Sequence, residues 1–202
     1  MPSKPTILMR LLVASLLLVG VATQKSRAQE PVISDSVVIT TSLGKIGLVL
    51  YGMDAPKTVE NFVKLATKGF YRGILFHRVV PKFVIQAGDP KTKDSTMKAD
   101  WGTGGESIYG HEFEDELNPN APSYRRGYVE GTIAMANRGP NTNTSQWFIC
   151  LGNLSLPKNY TIFGRVTGGM DVVRKIEAVD LDGSTPRVPV KIIDVTVRHL
   201  SH

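Results

Sequence analysis

Short β-branched runs cut by turn residues restrict this chain more than any other feature of its sequence. "SVVITTSLGKIGLVLY" (36–51) reads as a hairpin turning at Ser42–Gly44. "FHRVV" (76–80) and "FVIQA" (83–87) are two more short strands, bent at Pro81. "GTIAMAN" (131–137) and "SQWFICL" (145–151) are joined by the polar turn "RGPNTNT", and "YTIFGRV" (160–166) and "VKIIDVTVRHL" (190–200) follow. Only two stretches have a helical period. In "DAPKTVENFVKLATKGFY" (54–71), Val59, Phe62, Val63 and Ala66 share a face, Asp54 suits an N-cap and Gly69 follows the end. In "GGMDVVRKIEAVD" (168–180), Val172, Val173, Ile176 and Val179 point inward. About eight strands with two widely separated helices do not alternate as βαβ units. The fold class is therefore all-β (mainly β), an antiparallel barrel or sandwich with two helices outside it. The first half of 91–110 reads as a surface loop, and residues 111–127 are also loop-like.

The first 28 residues have a different character. Lys4 and Arg10 precede the apolar run "LLVASLLLVGVA", and "SRA" at 26–28 offers small residues for a signal peptidase. The run is shorter than the ~20 residues that span a bilayer. The expectation is a signal peptide at 1–28, cleaved near Ala28, then a linker at 29–35 and one domain at 36–200. The formal charge of +6 includes Lys4, Arg10, Lys25 and Arg27, with no acid beside them. The remainder carries 20 basic and 18 acidic residues, or +2. Charge gives no case for nucleic-acid binding. Cys150 is the only cysteine, so no intrachain disulfide can form, and its place in "QWFICL" reads as a buried structural thiol.

Several chemistries lack their residues. "HEFEDE" (111–116) has no zinc-helix spacing and reads as a solvated acidic loop. "GTGGES" (102–107) is Gly-rich but lacks the Lys-Ser/Thr of a phosphate loop. No Gly-x-Ser-x-Gly elbow occurs. What remains is Arg78, Gln86, Asn137 and Gln146, set among Phe83, Met135, Trp147 and Phe148. These polar groups donate hydrogen bonds and line a cavity but cannot serve as nucleophile or base near neutral pH. Residue chemistry leaves two readings open: a binding or proton-free catalytic groove, or polar residues facing solvent on a half-exposed strand.

"FHRVVPKFVIQAGD", "GTGGESIYG", "FEDE", "MANRGPNTNTSQWFIC" and "YTIFGRV", in that order, resemble the cyclophilin family of peptidyl-prolyl cis–trans isomerases, from about Ser36 to Val197. The resemblance implies an eight-stranded antiparallel β-barrel closed by two α-helices. It implies an isomerase of X–Pro bonds with no metal and no cofactor. Arg78 matches the family's catalytic arginine. Phe83, Phe148 and Leu156 match the proline pocket, with Ala136 beside it, and Val84 stands where Met is common. Gln86, Asn137 and Gln146 match groups around the substrate, Tyr160 stands where many members have His, and His77 matches a supporting residue. The implied partners are proline-containing peptides and unfolded proteins, handled by a monomer that neither binds nucleic acid nor, once mature, spans a membrane.

Departures carry further expectations. Arg138 replaces a small residue beside the groove and predicts a mild preference for acidic neighbours of the proline. Ser155 falls near the tryptophan that many members use for cyclosporin, which predicts weak inhibition. Residues 91–101 exceed the minimal family loop. Sequons at Asn143, Asn153 and Asn159 flank the predicted groove, where a glycan would obstruct substrate. The expected location is therefore periplasmic or secreted, bacterial-like, with a eukaryotic secretory lumen as the alternative.

Overall fold

A computed structural model describes residues 29–200; the expected signal peptide lies outside the described residues. β1 (Asp35–Thr41) and β2 (Gly44–Leu50) form the first hairpin. β3 (Arg78–Val80) and β4 (Val84–Ala87) form the second. β5 (Thr132–Met135), β6 (Trp147–Cys150), β7 (Ile162–Gly168) and β10 (Ile192–His199) complete an antiparallel sheet ordered β10-β1-β2-β7-β5-β6-β4-β3. A two-stranded ribbon, β8 (Leu181–Asp182) with β9 (Thr185–Pro186), stands apart. The sheet curls on itself. Beyond its ends, Gly73 N–H donates to Ile192 O, Ile192 N–H to Ile74 O and Phe76 N–H to Val190 O, so backbone bonds bridge the seam between the edge strands. That closure satisfies edge groups that would otherwise be open to other chains.

Alternation along β1 and β2 sends Val37, Ile39, Ile46, Leu48 and Leu50 inward. They meet an aromatic cluster in which the Phe62, Tyr71, Phe76 and Phe163 rings surround Trp147 or one another. α1 (Pro56–Thr67) lays Val59, Phe62, Val63 and Ala66 on this core, as its period predicts. Past its end, Gly69 at φ +72° lets its N–H reach Ala66 O while Phe70 N–H reaches Leu65 O. α3 (Met170–Glu177) seals the other side with Val172, Val173 and Ile176, and Val179 is partly buried against the same core.

Three expectations change. Asp54 does not cap α1: its carboxylate accepts from Ser123 N–H at 2.8 Å, at the start of a short helix, α2 (Pro122–Arg126), within the stretch read as loop. The cap on α1 comes from the acidic loop instead, where Glu116 accepts from the Lys57 and Thr58 N–H groups at 3.0 and 2.9 Å. The 91–101 insertion is ordered into two 3-10 turns, Pro90–Lys93 and Ser95–Asp100, begun by the Asp89 and Asp94 side chains. At the expected linker, Asp35 already belongs to β1, and Ser34 is bonded to the sheet through Leu50 O. Among the described residues no helix is long and apolar enough to cross a membrane.

Candidate active site: a groove on the outer wall of the barrel

β4, β5 and β6 are buried on both faces, apart from the half-buried Gln86. Their inward residues join the main core. Their outward residues, Val84, Ala134, Phe148 and Cys150, form a second apolar cluster with Tyr128 and Ile162. This outer cluster floors a cavity of about 260 Å³. Arg78, Phe83, Val84, Gln86, Ala136, Asn137, Phe148, Leu156 and Tyr160 line it. Residues from four separate stretches thus converge on one concave surface. Gln146, the remaining expected substrate contact, is 6% exposed and lines a smaller adjoining cavity of about 50 Å³ with Gln86, Ala136 and Asn137.

The β3–β4 hairpin places two of the polar groups. Arg78 and Gln86 are cross-strand partners, and Gln86 in turn faces Phe148 on β6. Between β3 and β4 the chain turns at Pro81 and Lys82, with Lys82 at φ +63° and Phe83 N–H bonded to Val80 O. The turn brings the Phe83 ring under the guanidinium, whose carbon lies 5.9 Å from the ring centroid. Arg78 Nη1 donates to Gln86 Oε1 at 3.2 Å. Gln86 Nε2 donates to Gln146 Oε1 at 2.9 Å, and Gln146 Nε2 donates to Gly102 O and Gly104 O at 2.9 and 2.6 Å. A cation therefore sits at the end of a hydrogen-bonded relay anchored in backbone, with its orientation fixed before any ligand arrives.

The anchor is itself held by a carboxylate. Asp89, fully buried, accepts from the N–H groups of Lys91, Gly102 and Gly104 at 2.8, 2.6 and 3.0 Å. A Cβ on Gly104 would lie 2.2 Å from Asp89 Oδ1, so the Gly-rich segment is what lets backbone approach this carboxylate. His77 is 5% exposed beside this assembly, and neither ring nitrogen has a hydrogen-bond partner. Burial holds its imidazole below the usual histidine range, against the opposing attraction of Asp89.

On the opposite wall, Asn137 Nδ2 donates to Asn159 O at 2.9 Å and to Asp115 at 3.3 Å. Tyr160 meets the Phe148 ring edge-on at 5.6 Å. Arg138 does not add a free charge: it pairs with Glu112 and donates to Thr103 O at 3.2 Å. The "HEFEDE" cluster is thus spent on Arg138, Lys57 and the α1 cap, a use its spacing did not reveal. Asn143 is fully buried, with its amide donating to Phe113 O and Asp115, which removes that sequon from the folded surface. Such a groove, with an apolar floor, a fixed cation and flanking amides, can hold a small apolar ring and donate to a developing lone pair.

The family model for cyclophilin type peptidyl-prolyl cis-trans isomerases matches residues 36–197. The chain is 46% identical over 160 residues to peptidyl-prolyl cis-trans isomerase ppi1 of Schizosaccharomyces pombe, covering 78% of this chain and 96% of that one. It is 42% identical over 163 residues to peptidyl-prolyl cis-trans isomerase-like 1 of Aspergillus fumigatus, covering 80% and 94%. A crystal structure of a Cryptosporidium parvum cyclophilin type isomerase superposes with a TM-score of 0.72 at 34% identity, covering 83% of this chain and 98% of that one. A second, in the presence of the dipeptide Ala-Pro, gives 0.71 at 34% identity, covering 81% and 98%. These relatives are eukaryotic, so they lend no support to a bacterial-like character. With the sheet, the matched span and the groove in agreement, the chain belongs to the cyclophilin-type peptidyl-prolyl cis–trans isomerases.

Proposed function

We propose that the groove is the isomerisation site and that Arg78 is its catalytic residue. The observation that carries this reading is the guanidinium held over Phe83 by Gln86 at the mouth of an apolar cavity. Amide resonance sets the X–Pro barrier at ~18–20 kcal/mol. A ~10⁵-fold acceleration needs about 7 kcal/mol of selective stabilisation. Twisting the bond breaks resonance and localises a lone pair on the proline nitrogen. A fixed cation donating to that nitrogen binds the twisted form better than the planar one. Phe83, Phe148 and Leu156 hold the ring, and the crystal structure obtained with Ala-Pro supports a proline ligand for this fold. Gln86 and Asn137 hold the flanking chain, Gln146 positions Gln86, Val84, Ala136 and Tyr160 shape the pocket, and His77 supports the hairpin. Losing turnover in Arg78→Ala with unchanged folding tests the assignment.

The clients we propose are polypeptides in an exported compartment, met by a monomer. The order of charge, apolar run and small residues at 1–28 supports this. Exposed Asn153 and Asn159 beside the groove favour a periplasm over a glycosylating lumen. Fractionation with N-terminal sequencing tests it: a mature chain beginning at Gln29 in the exported fraction is expected, and an intact cytosolic chain would refute it. Ser155 in place of an aromatic anchor supports weak cyclosporin inhibition, which a nanomolar inhibition constant would contradict.

A further inference from the structure

The proline cavity does not end at Leu156. That residue also lines a neighbouring cavity of about 600 Å³, which continues past Arg126 and Gly127 into a third of about 350 Å³. The second cavity is basic and carries no acid, while the third also holds Glu30 and Glu130, the latter paired with Arg174. Arg125 and Lys158 line the second cavity, Arg165 the third, and Arg126 both. Among the described residues Arg125, Lys158 and Arg165 have no carboxylate within ion-pair distance. Arg125 and Lys158 are held instead by the backbone carbonyls of Asn120 and Tyr124, and the Lys158 ammonium lies 4.4 Å from the Tyr124 ring centroid.

One carboxylate already shows where an acid sits. Glu30 reaches across to Arg126, whose other nitrogen donates to Tyr51 Oη at 3.2 Å. Glu30 remains 74% exposed while Arg126 is 26% exposed, so the acid rests on a partly enclosed seat and can leave it. The opposite end of the proline groove carries no such basic excess. There Asp115 contacts Asn137 and Glu112 pairs with Arg138. A negatively charged chain would be attracted past Leu156 and would gain nothing past Asn137.

We infer that the groove running from Leu156 along Arg125, Arg126, Lys158 and Arg165 is an extended substrate site for acidic polypeptide segments attached to the isomerised proline. This rests on the catalytic reading of the adjoining cavity, and it names the substrate class that reading leaves open. Glu30 competes for the Arg126 seat, so the chain's own N-terminal segment weakens acidic substrates.

The test uses Ala-Pro peptides carrying four glutamates two residues after the proline or two residues before it, and serine-for-glutamate controls. Isomerisation is followed by exchange NMR and binding by fluorescence anisotropy. One glutamate peptide is expected to exceed its serine control in kcat/KM and affinity by about fivefold at low ionic strength. The gain should shrink in roughly 0.5 M salt. The Arg125→Gln/Lys158→Gln/Arg165→Gln variant should lose it while leaving the serine peptides unchanged, and Glu30→Gln should enlarge it. Equal affinity and kcat/KM for glutamate and serine peptides in both placements would overturn the inference. Absent turnover of every peptide would instead overturn the catalytic reading, and anisotropy would still decide the acidic site.

Discussion

At the scale of single residues, the groove sets one cation against neutral amides, and its neighbours test that reading. His77 is the titratable group buried closest to Arg78 in sequence. Its folded value lies below the ~6.5 of an unfolded histidine. Below about pH 6.5 the unfolded chain therefore binds the extra proton and the folded chain resists it. Stability should fall as pH drops from 7.5 towards 5.5, and His77→Asn should flatten that loss, as urea midpoints at the two pH values would show. An equal loss in the variant would assign the effect elsewhere. Arg138 is another case. The sequence showed a charge beside the groove, but Glu112 offsets it. Peptides with Asp or Lys next to the proline on that side should turn over within about twofold of each other. Pairing across 26 residues of chain cannot be read from either residue type alone.

At the scale of elements, the legible parts were those with a period. The hairpin at 35–50 and both amphipathic helices fall where alternation and 3.6-residue spacing put them. The cap on α1 was not legible, because Glu116 arrives from a distant loop while Asp54 turns to α2. Nor were β5 and β6 legible as walls of two cores, since strands buried on both faces lose the polar alternation that marks a side. The "GTGGES" glycines were visible, but their reason, Asp89, lies at the far end of an ordered insertion. Asp89→Ala would leave three backbone N–H groups unpaired, at about 1 kcal/mol or more each. The expected loss is roughly 3 kcal/mol, with lower kcat/KM through the freed Gln146. Denaturation showing less than about 1 kcal/mol would mean the insertion supports itself.

At the scale of the whole molecule, one closed sheet carries two apolar faces: a core inside and a smaller cluster outside that becomes the pocket floor. Cys150 belongs to the outer cluster and is fully buried; burial pushes its thiol up to about 12. The native protein should resist a thiol reagent at pH 8 and react only on unfolding, so stoichiometric labelling of the folded state would contradict this packing. The family resemblance supplied the roles of Arg78, Phe83 and Leu156, which residue chemistry alone had left balanced against a solvent-exposed strand. The structure brings residues from 78 to 160 around one cavity. The most direct test of the account is the isomerisation rate of an Ala-Pro peptide with the parent and with Arg78→Ala. Rapid turnover by the parent is expected, with a loss of about 10²–10³-fold in the variant and an unchanged circular dichroism spectrum. A folded variant that keeps the parent's rate would contradict it.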